Sequence, residues 1–189
     1  MPVSELLLIR HAPALHEGRL AGRRDVPADT RDAQVLTALR RAAGAVDQVI
    51  ASPALRCRQT AAALWHDMPA HLDERLWEQD FGTWEGLPFD EVPDTGTLPL
   101  ADLAAHAPPG GESFAAMCAR VIPALEEIGD LEGRTAIVAH AGTVRAGLAM
   151  ALGVTAPALG FMVHPLSITR LIPCEGVWAI GNVNAVASS

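Results

Sequence analysis

The chain opens with an apolar run, Leu6 to Ile9, set within residues 3–12 and closed abruptly by Arg10 and His11. Four consecutive apolar residues predict a strand buried on both faces, as inside a parallel sheet. The same arrangement recurs at residues 134–140, RTAIVAH, again apolar and again closed by a histidine. In open α/β sheets, ligands bind beyond the carboxyl ends of the strands. Two such strands, parallel and near neighbours, would set His11 and His140 facing one another across one pocket, with Arg10 beside them.

Between these strands the polar and apolar positions predict further elements. Residues 12–29 form a long loop punctuated by Pro13, Gly18, Gly22 and Pro27, and carrying His16, Arg19, Arg23 and Arg24. A loop of that length tends to be functional. Residues 30–45 read as a helix with Thr30 or Asp29 as its cap, Val35, Leu36, Leu39, Ala42 and Ala43 on its apolar face, and Gly44 as its stop. A short strand follows at 48–51, then a helix with Ser52 as N-cap and Pro53 in its first position. Arg56 falls in the first turn and Arg58 two residues on. Residues two apart do not share a helix face, so at most one of these arginines points into the pocket.

Residues 75–88 interleave carboxylates with bulky apolar groups. Glu78 lies beside Trp77 and near Phe81, and a carboxyl desolvated by aromatic bulk rises in pKa and can act as an acid. Spacing alone equally accommodates Glu78, Asp80 and Glu85 as surface carboxylates. Residues 87–111 are rich in proline, glycine and acid, with a helical turn at 98–105, and read as a small flap over the site. A helix then runs from PPGGES (108–113) to about Ile128, its apolar side formed by Phe114, Met117, Cys118, Val121 and Leu125. Pro123 is expected to kink it at a cost of roughly 3 kcal/mol. After Ala139 a helix opens at Gly142 or Thr143, and its first backbone N–H groups make an anion site. Residues 164–183 close the fold as a hairpin around 174–176. The fold class is α/β: one domain over 1–189, a three-layer sandwich whose mostly parallel central sheet is flanked by helices.

Composition narrows the chemistry. Half of the 189 residues are apolar, 19% are charged, and the net charge is −8. That balance argues against a nucleic-acid or anionic-membrane surface. All 14 cationic residues are arginine, which rules out lysine Schiff-base and P-loop chemistry but keeps bidentate phosphate recognition. Three widely spaced cysteines, Cys57, Cys118 and Cys174, form no zinc or redox motif and fit a reduced, cytoplasmic protein. The N-terminus does not read as a signal peptide, and no apolar run approaches the ~20 residues of a membrane span.

Together these residues resemble the histidine phosphatase superfamily, in its phosphoglycerate-mutase-like branch. The resemblance covers nearly the whole chain: LIRHA at 8–12, SPALRCRQTA at 52–61, EQDFGTWEG at 78–86, PPGGES at 108–113, VAHAGTVRA at 138–146 and GNVNA at 181–185. It implies His11 as the nucleophile, Arg10 and Arg56 as phosphate-binding arginines, Glu78 as the proton donor and His140 as the second histidine. The N–H groups near Ala141 add to the phosphate site, with His140 expected to be cationic. Asp80 and Glu85 are then structural. Alanine stands at 12 and 141 where the family usually has glycine, at a cost of about 1 kcal/mol if either position needs φ > 0. The stretch after Ala12 also lacks the family's acid–threonine–x–tryptophan–asparagine run; His16, Arg19 or Arg23 are the substitutes available in the substrate loop.

The implied activity is metal-independent phosphomonoester hydrolysis through a phosphohistidine, on a small phosphorylated substrate and without a cofactor. The segment GRLAGRRDVPAD and the PPGGESF entry look like the α-ribazole phosphatase group of cobalamin nucleotide-loop assembly. The alternatives are a phosphoglycerate mutase-type phosphotransferase, a broad-specificity small-molecule phosphatase, a non-catalytic phospho-ligand binder, and a metal site built on His11, His16 and His140. The oligomeric state is left open, a homodimer included.

Overall fold

The computed structural model describes residues 4–187; Val3, the first residue of the stretch that holds the opening apolar run, lies outside them. The strands are β1 (Glu5–Arg10), β2 (Gln48–Ala51), β3 (His71–Leu72), β4 (Arg134–Ala139), β5 (Ser167–Cys174) and β6 (Val177–Val186). They form one sheet in the order β3-β2-β4-β1-β5-β6. β3, β2, β4 and β1 are parallel; β5 runs antiparallel to β1 and β6 antiparallel to β5. The β5–β6 hairpin turns at Glu175 and Gly176, where Gly176 has φ +74°.

The α-helices of the described residues are α1 (Ala33–Ala43), α2 (Leu55–Leu64), α3 (Leu100–Ala105), α4 (Phe114–Gly129) and α5 (Ala141–Leu152); α1, α2, α4 and α5 flank the sheet, and α3 packs against α4. Strand alternation divides the core in two. Leu6 and Leu8 of β1, with Ile137 of β4, pack among Leu125 of α4 and Leu148 of α5. Leu7 and Ile9, with Val49 and Val138, pack among Leu39 of α1 and Leu64 of α2. The four apolar residues of β1 are therefore buried on both faces, each contributing about 1.5–3 kcal/mol of burial. The result is a three-layer α/β/α arrangement. No helix among the described residues is long and apolar enough to cross a membrane.

Helix starts depart from the sequence reading in instructive ways. Asp32, not Asp29 or Thr30, caps α1, accepting from the N–H groups of Gln34 and Val35. Asp29 is taken instead by the Arg31 guanidinium at 2.6 and 2.8 Å. α2 begins at Leu55 rather than Pro53, and Ser52 is not its cap. The Leu55 N–H donates to Asp25 Oδ1 at 2.5 Å, so the cap comes from thirty residues upstream. α4 runs from Phe114 to Gly129 with Pro123 inside it, on its exposed side. Ser113 caps α4, accepting from the Ala116 N–H at 3.1 Å.

The long loop after β1 is laid down against residues 86–89. Gly86 N–H donates to Leu20 O, Leu20 N–H to Leu87 O, and Phe89 N–H to Gly18 O.

Candidate active site

Three neighbouring parallel strands end side by side, and each delivers a polar residue just past its last position. β1 delivers His11, β4 delivers His140 and β2 delivers Ser52. The register pairs Arg10 with Ala139, and the His11 N–H donates to Ala139 O at 2.9 Å while Ser52 N–H donates to Val138 O at 3.0 Å. The two imidazoles are thereby brought to 5.3 Å between centroids at an interplanar angle of 70°. The central expectation, two histidines meeting across well over a hundred residues, matches this geometry.

His11 is 5% exposed. Its Nδ1 lies 2.7 Å from the carbonyl of Ala12, and a carbonyl only accepts, so Nδ1 carries the proton and Nε2 carries a lone pair. Arg56 Nε–H donates to that Nε2 at 3.3 Å. Burial first, opposed by the Ala12 carbonyl and reinforced by the Arg56 and Arg10 charges, pushes the His11 pKa down to about 3. The ring is a neutral imidazole at every ordinary pH.

Arg56 is the bridge between the imidazoles. It is 1% exposed, while Arg58, two residues on, is exposed. Besides His11, Arg56 donates from Nη2 to His140 Nδ1 at 3.2 Å and to Gly22 O at 2.7 Å, and from Nη1 to Arg24 O at 2.9 Å. It thus ties the long loop to both histidines.

The state of His140 corrects the sequence reading. The guanidinium has no acceptor to offer, so Nδ1 of His140 must be unprotonated, and its Nε2–H donates to Ser52 Oγ at 2.8 Å. Full burial, then Arg56, His11 and Arg10, push its pKa well below the imidazole range. His140 is therefore neutral, not cationic. Trp77 lies parallel to it at 6.5 Å, and the Cys57 Sγ is 3.5 Å from Nε2. Ser52, read from sequence as a helix cap, serves as the partner that fixes His140.

Glu78 follows a 3-10 turn at Glu74–Leu76 and hangs over the first turn of α5. The approach is so close that a Cβ on Gly142 would meet Glu78 Oε1 and the Met117 thioether, so a larger residue there would displace the Glu78 carboxyl or the Met117 side chain. Desolvation raises the Glu78 pKa, against the Gln79 N–H and the charges of Arg56, Arg10 and Arg145. Arg10, at the end of β1, donates from Nη1 to Val163 O at 2.6 Å, and no group among the described residues accepts its buried Nε–H. Burial lowers its pKa and Glu78 raises it. Arg145 has the same two influences and donates to Phe161 O at 3.1 Å. The sequence reading passed over Arg145, although it stands four residues after Ala141 and so shares its helix face.

α5 starts at Ala141, one residue before the expected opening, with His140 as its N-cap. The first N–H groups of a helix have no intrahelical acceptor and form a partial positive charge beside His140. The non-glycine residues with positive φ are Glu17, Leu166 and Asn184. Ala12 and Ala141 are not among them, so the backbone cost raised for these two alanines does not arise.

The substrate-loop residues Arg19 and Arg23 are hydrogen-bonded to protein groups. Arg19 is exposed and donates to Gly86 O at 2.8 Å. Arg23 is held by Glu112 at 3.1 Å, lies 3.8 Å from Asp80, and donates to Glu78 O at 3.3 Å. Each finds a protein acceptor outside the histidine pair, Arg19 on Gly86 and Arg23 on Glu112 and on the Glu78 carbonyl. His16 packs edge-on against Phe89 at 5.0 Å and is near enough to His11 for its charge to lower the His11 pKa. Glu85 accepts the N–H groups of Arg23 and Phe81, and Asp80 that of Gly82, as structural carboxylates do.

Comparison with known proteins agrees with this geometry. The profile of the histidine phosphatase superfamily (branch 1) matches residues 6–186. The bifunctional protein Rv2228c of Mycobacterium tuberculosis is 36% identical over 117 residues, covering 58% of this chain and 32% of that protein. The chain therefore spans about a third (32%) of the length of the curated relatives it matches. Among solved structures, the mycobacterial glucosyl-3-phosphoglycerate phosphatase Rv2419c superposes with a TM-score of 0.83 at 23% identity, covering 97% of this chain and 99% of its own. The α-ribazole phosphatase of Shigella flexneri gives 0.80 at 23% identity, with 98% of each chain covered. At that identity these two likenesses concern the fold. The profile, extending over nearly every residue, establishes the lineage: this chain belongs to the histidine phosphatase superfamily, branch 1.

Proposed function

We propose that the protein is a phosphomonoesterase that works through a phosphohistidine on His11. The observation that carries this is the Nε2 lone pair of His11, held unprotonated by the Ala12 carbonyl on the far side of the ring. In the first step Nε2 attacks phosphorus, the phosphorus–oxygen ester bond breaks, and protonated Glu78 gives its proton to the departing alkoxide. In the second, water attacks the phosphohistidine, Glu78 takes a proton from it, and inorganic phosphate leaves with His11 restored. The transition state asks chiefly for positioning and for charge on the phosphoryl oxygens. Arg10, the remaining N–H of Arg56 and the N–H groups at the start of α5 are the donors available. His140 holds Arg56 in place from the other side. No metal or cofactor takes part in this scheme.

The substrate we propose is a small phosphate monoester, with α-ribazole 5′-phosphate the first to test. The GRLAGRRDVPAD and PPGGESF segments support that choice. The short excursion at 87–111 favours a phosphatase over a mutase-type phosphotransferase. Substrate identity does not follow from the fold, since two phosphatases named for different substrates superpose almost equally well. The deciding experiment is rapid acid-free quenching with a 32P-labelled monoester. Base-stable, acid-labile label on His11, released as phosphate, is the expected result; turnover with no label on His11, or label passed to a second sugar phosphate in preference to water, counts against it.

The pH dependence follows from the two shifted groups. His11 protonates only near pH 3, so its neutral form is present throughout the range above that value. Glu78 keeps its proton above the ordinary carboxyl range, and the rate falls as pH rises through its raised pKa. After correction for the substrate's own ionisation near pH ~6, kcat/KM is expected to show no acid limb at the ordinary imidazole pKa and a clear decline on the alkaline side. A profile level far into the alkaline range would remove Glu78 as the acid.

A further inference from the structure

Behind Glu78 lies a cluster of charges outside the chemistry just described. Glu112, the residue before the Ser113 cap of α4, accepts at Oε1 from Arg23 Nη2 at 3.1 Å, from the Asp80 N–H at 3.2 Å and from Arg120 Nη2. Arg120 projects from α4 and donates to the backbone carbonyls of Arg75 at 2.7 Å, Trp77 at 3.0 Å and Glu78 at 3.4 Å. Arg23 reaches the same Glu78 carbonyl at 3.3 Å. The backbone of Glu112 joins in: its N–H donates to Asp80 O and its carbonyl accepts from Gln79 Nε2, both at 2.9 Å. One carboxylate and two guanidiniums thus converge on the peptide units that carry Glu78.

Partly burying three charges to hold an irregular segment is costly, and apolar packing can give equal stability without it. What apolar packing cannot give is a fixed direction for several carbonyls at once, which a planar guanidinium fork can. The segment has no regular structure of its own between the 3-10 turn at Glu74–Leu76 and the next at Gly82–Trp84. The Glu78 carboxyl lies over the first turn of α5, close enough that a Cβ on Gly142 would meet Oε1.

We infer that Glu112 and Arg120 are positioning residues for proton donation: they hold the Trp77–Glu78 backbone so that the Glu78 carboxyl stays over the first turn of α5. The inference rests on Glu78 being the acid, and the test separates the two. An acid is needed for a poor leaving group and hardly at all for a good one. The ratio of kcat/KM for glycerol 2-phosphate to that for p-nitrophenyl phosphate therefore reads the donor alone. Glu78→Gln is expected to lower that ratio by about 10²-fold. Glu112→Gln, which keeps shape and removes charge, is expected to lower it by about tenfold or more.

If Glu78→Gln leaves the ratio unchanged, the acid assignment fails and this inference falls with it. If Glu78→Gln lowers the ratio but Glu112→Gln depresses both substrates equally, or neither, the acid stands and the positioning role is overturned. Should Glu112→Gln not melt as a folded protein, Arg120→Lys takes its place under the same criterion, since a single ammonium cannot serve three carbonyls and a carboxylate together.

Discussion

His11→Ala is expected to lower phosphate release by about 10⁴-fold or more and to abolish labelling of the enzyme. The size of the loss follows from the absence of a substitute nearby. In His140 the Nε2 atom carries the proton and donates to Ser52, so it has no lone pair with which to replace His11 Nε2. Burial pushes the Cys57 thiol far up, so it stays protonated and unreactive. The same substitution has a second, independent signature in stability. His11 has a folded pKa of about 3 against an ordinary 6.5, so between these values the unfolded chain binds a proton that the folded chain refuses. Stability contributed by the neutral ring is whole above the ordinary imidazole pKa and is lost as pH falls through that window. The alanine variant lacks this linkage, and its Tm is expected to drop less than the parent's on going from neutral to acid pH. A variant that keeps about a tenth or more of parental turnover cannot have lost its nucleophile.

The sheet was legible because its information is local. Leu6–Ile9 and the apolar run before His140 each announce a strand buried on both faces, and the position of a polar residue at the strand end announces the site. Helix geometry allowed only one of Arg56 and Arg58 to point inward, the resemblance picked Arg56, and Arg56 is the buried one of the two. Charges are harder to read, since an ionisable side chain says nothing in sequence about where its partner lies. Glu112 and Arg23 are 89 positions apart, and each taken singly is an ordinary solvated residue. Caps show the same limit: Ser52 before Pro53 has every local mark of an N-cap, yet its hydroxyl is taken by His140, 88 positions away, and Asp25 serves the helix instead.

Protonation is the least legible property of all. The sequence suggests two histidines beside arginines and a phosphate, from which a cationic His140 is a reasonable expectation. The structure shows why the reverse holds: the arginine that would have been its neighbour is its hydrogen-bond donor, and a donor to Nδ1 requires a lone pair there. Burial and cationic surroundings push both rings the same way. The pocket thus stores positive charge in guanidiniums and keeps its imidazoles unprotonated, each with a lone pair to act as nucleophile or acceptor.

That division of labour makes Arg56 the second residue whose loss is expected to be severe. Its guanidinium serves four acceptors at 2.7 to 3.3 Å, two imidazole nitrogens and the carbonyls of Gly22 and Arg24. Arg56→Ala strips each carbonyl of a charged donor, worth about 1.5–3 kcal/mol apiece, while relieving the several kcal/mol spent on burying a guanidinium. The net destabilisation in urea unfolding is expected to be modest, about 2 kcal/mol. The catalytic loss is not offset in this way. Both rings lose the group that sets their mutual orientation, and removing a single preorganised donor from such a site already costs about 10²–10³ in rate. A fall of about 10³-fold or more is therefore expected, with the protein still folded. Arg56→Lys is the sharper test, since it restores the charge without the fork, and an ammonium on a flexible stem cannot reach both imidazoles and two carbonyls at once. Lysine is expected to recover stability more than rate. If it recovers rate to within about tenfold of the parent, charge alone was sufficient and the geometric role given to Arg56 is wrong.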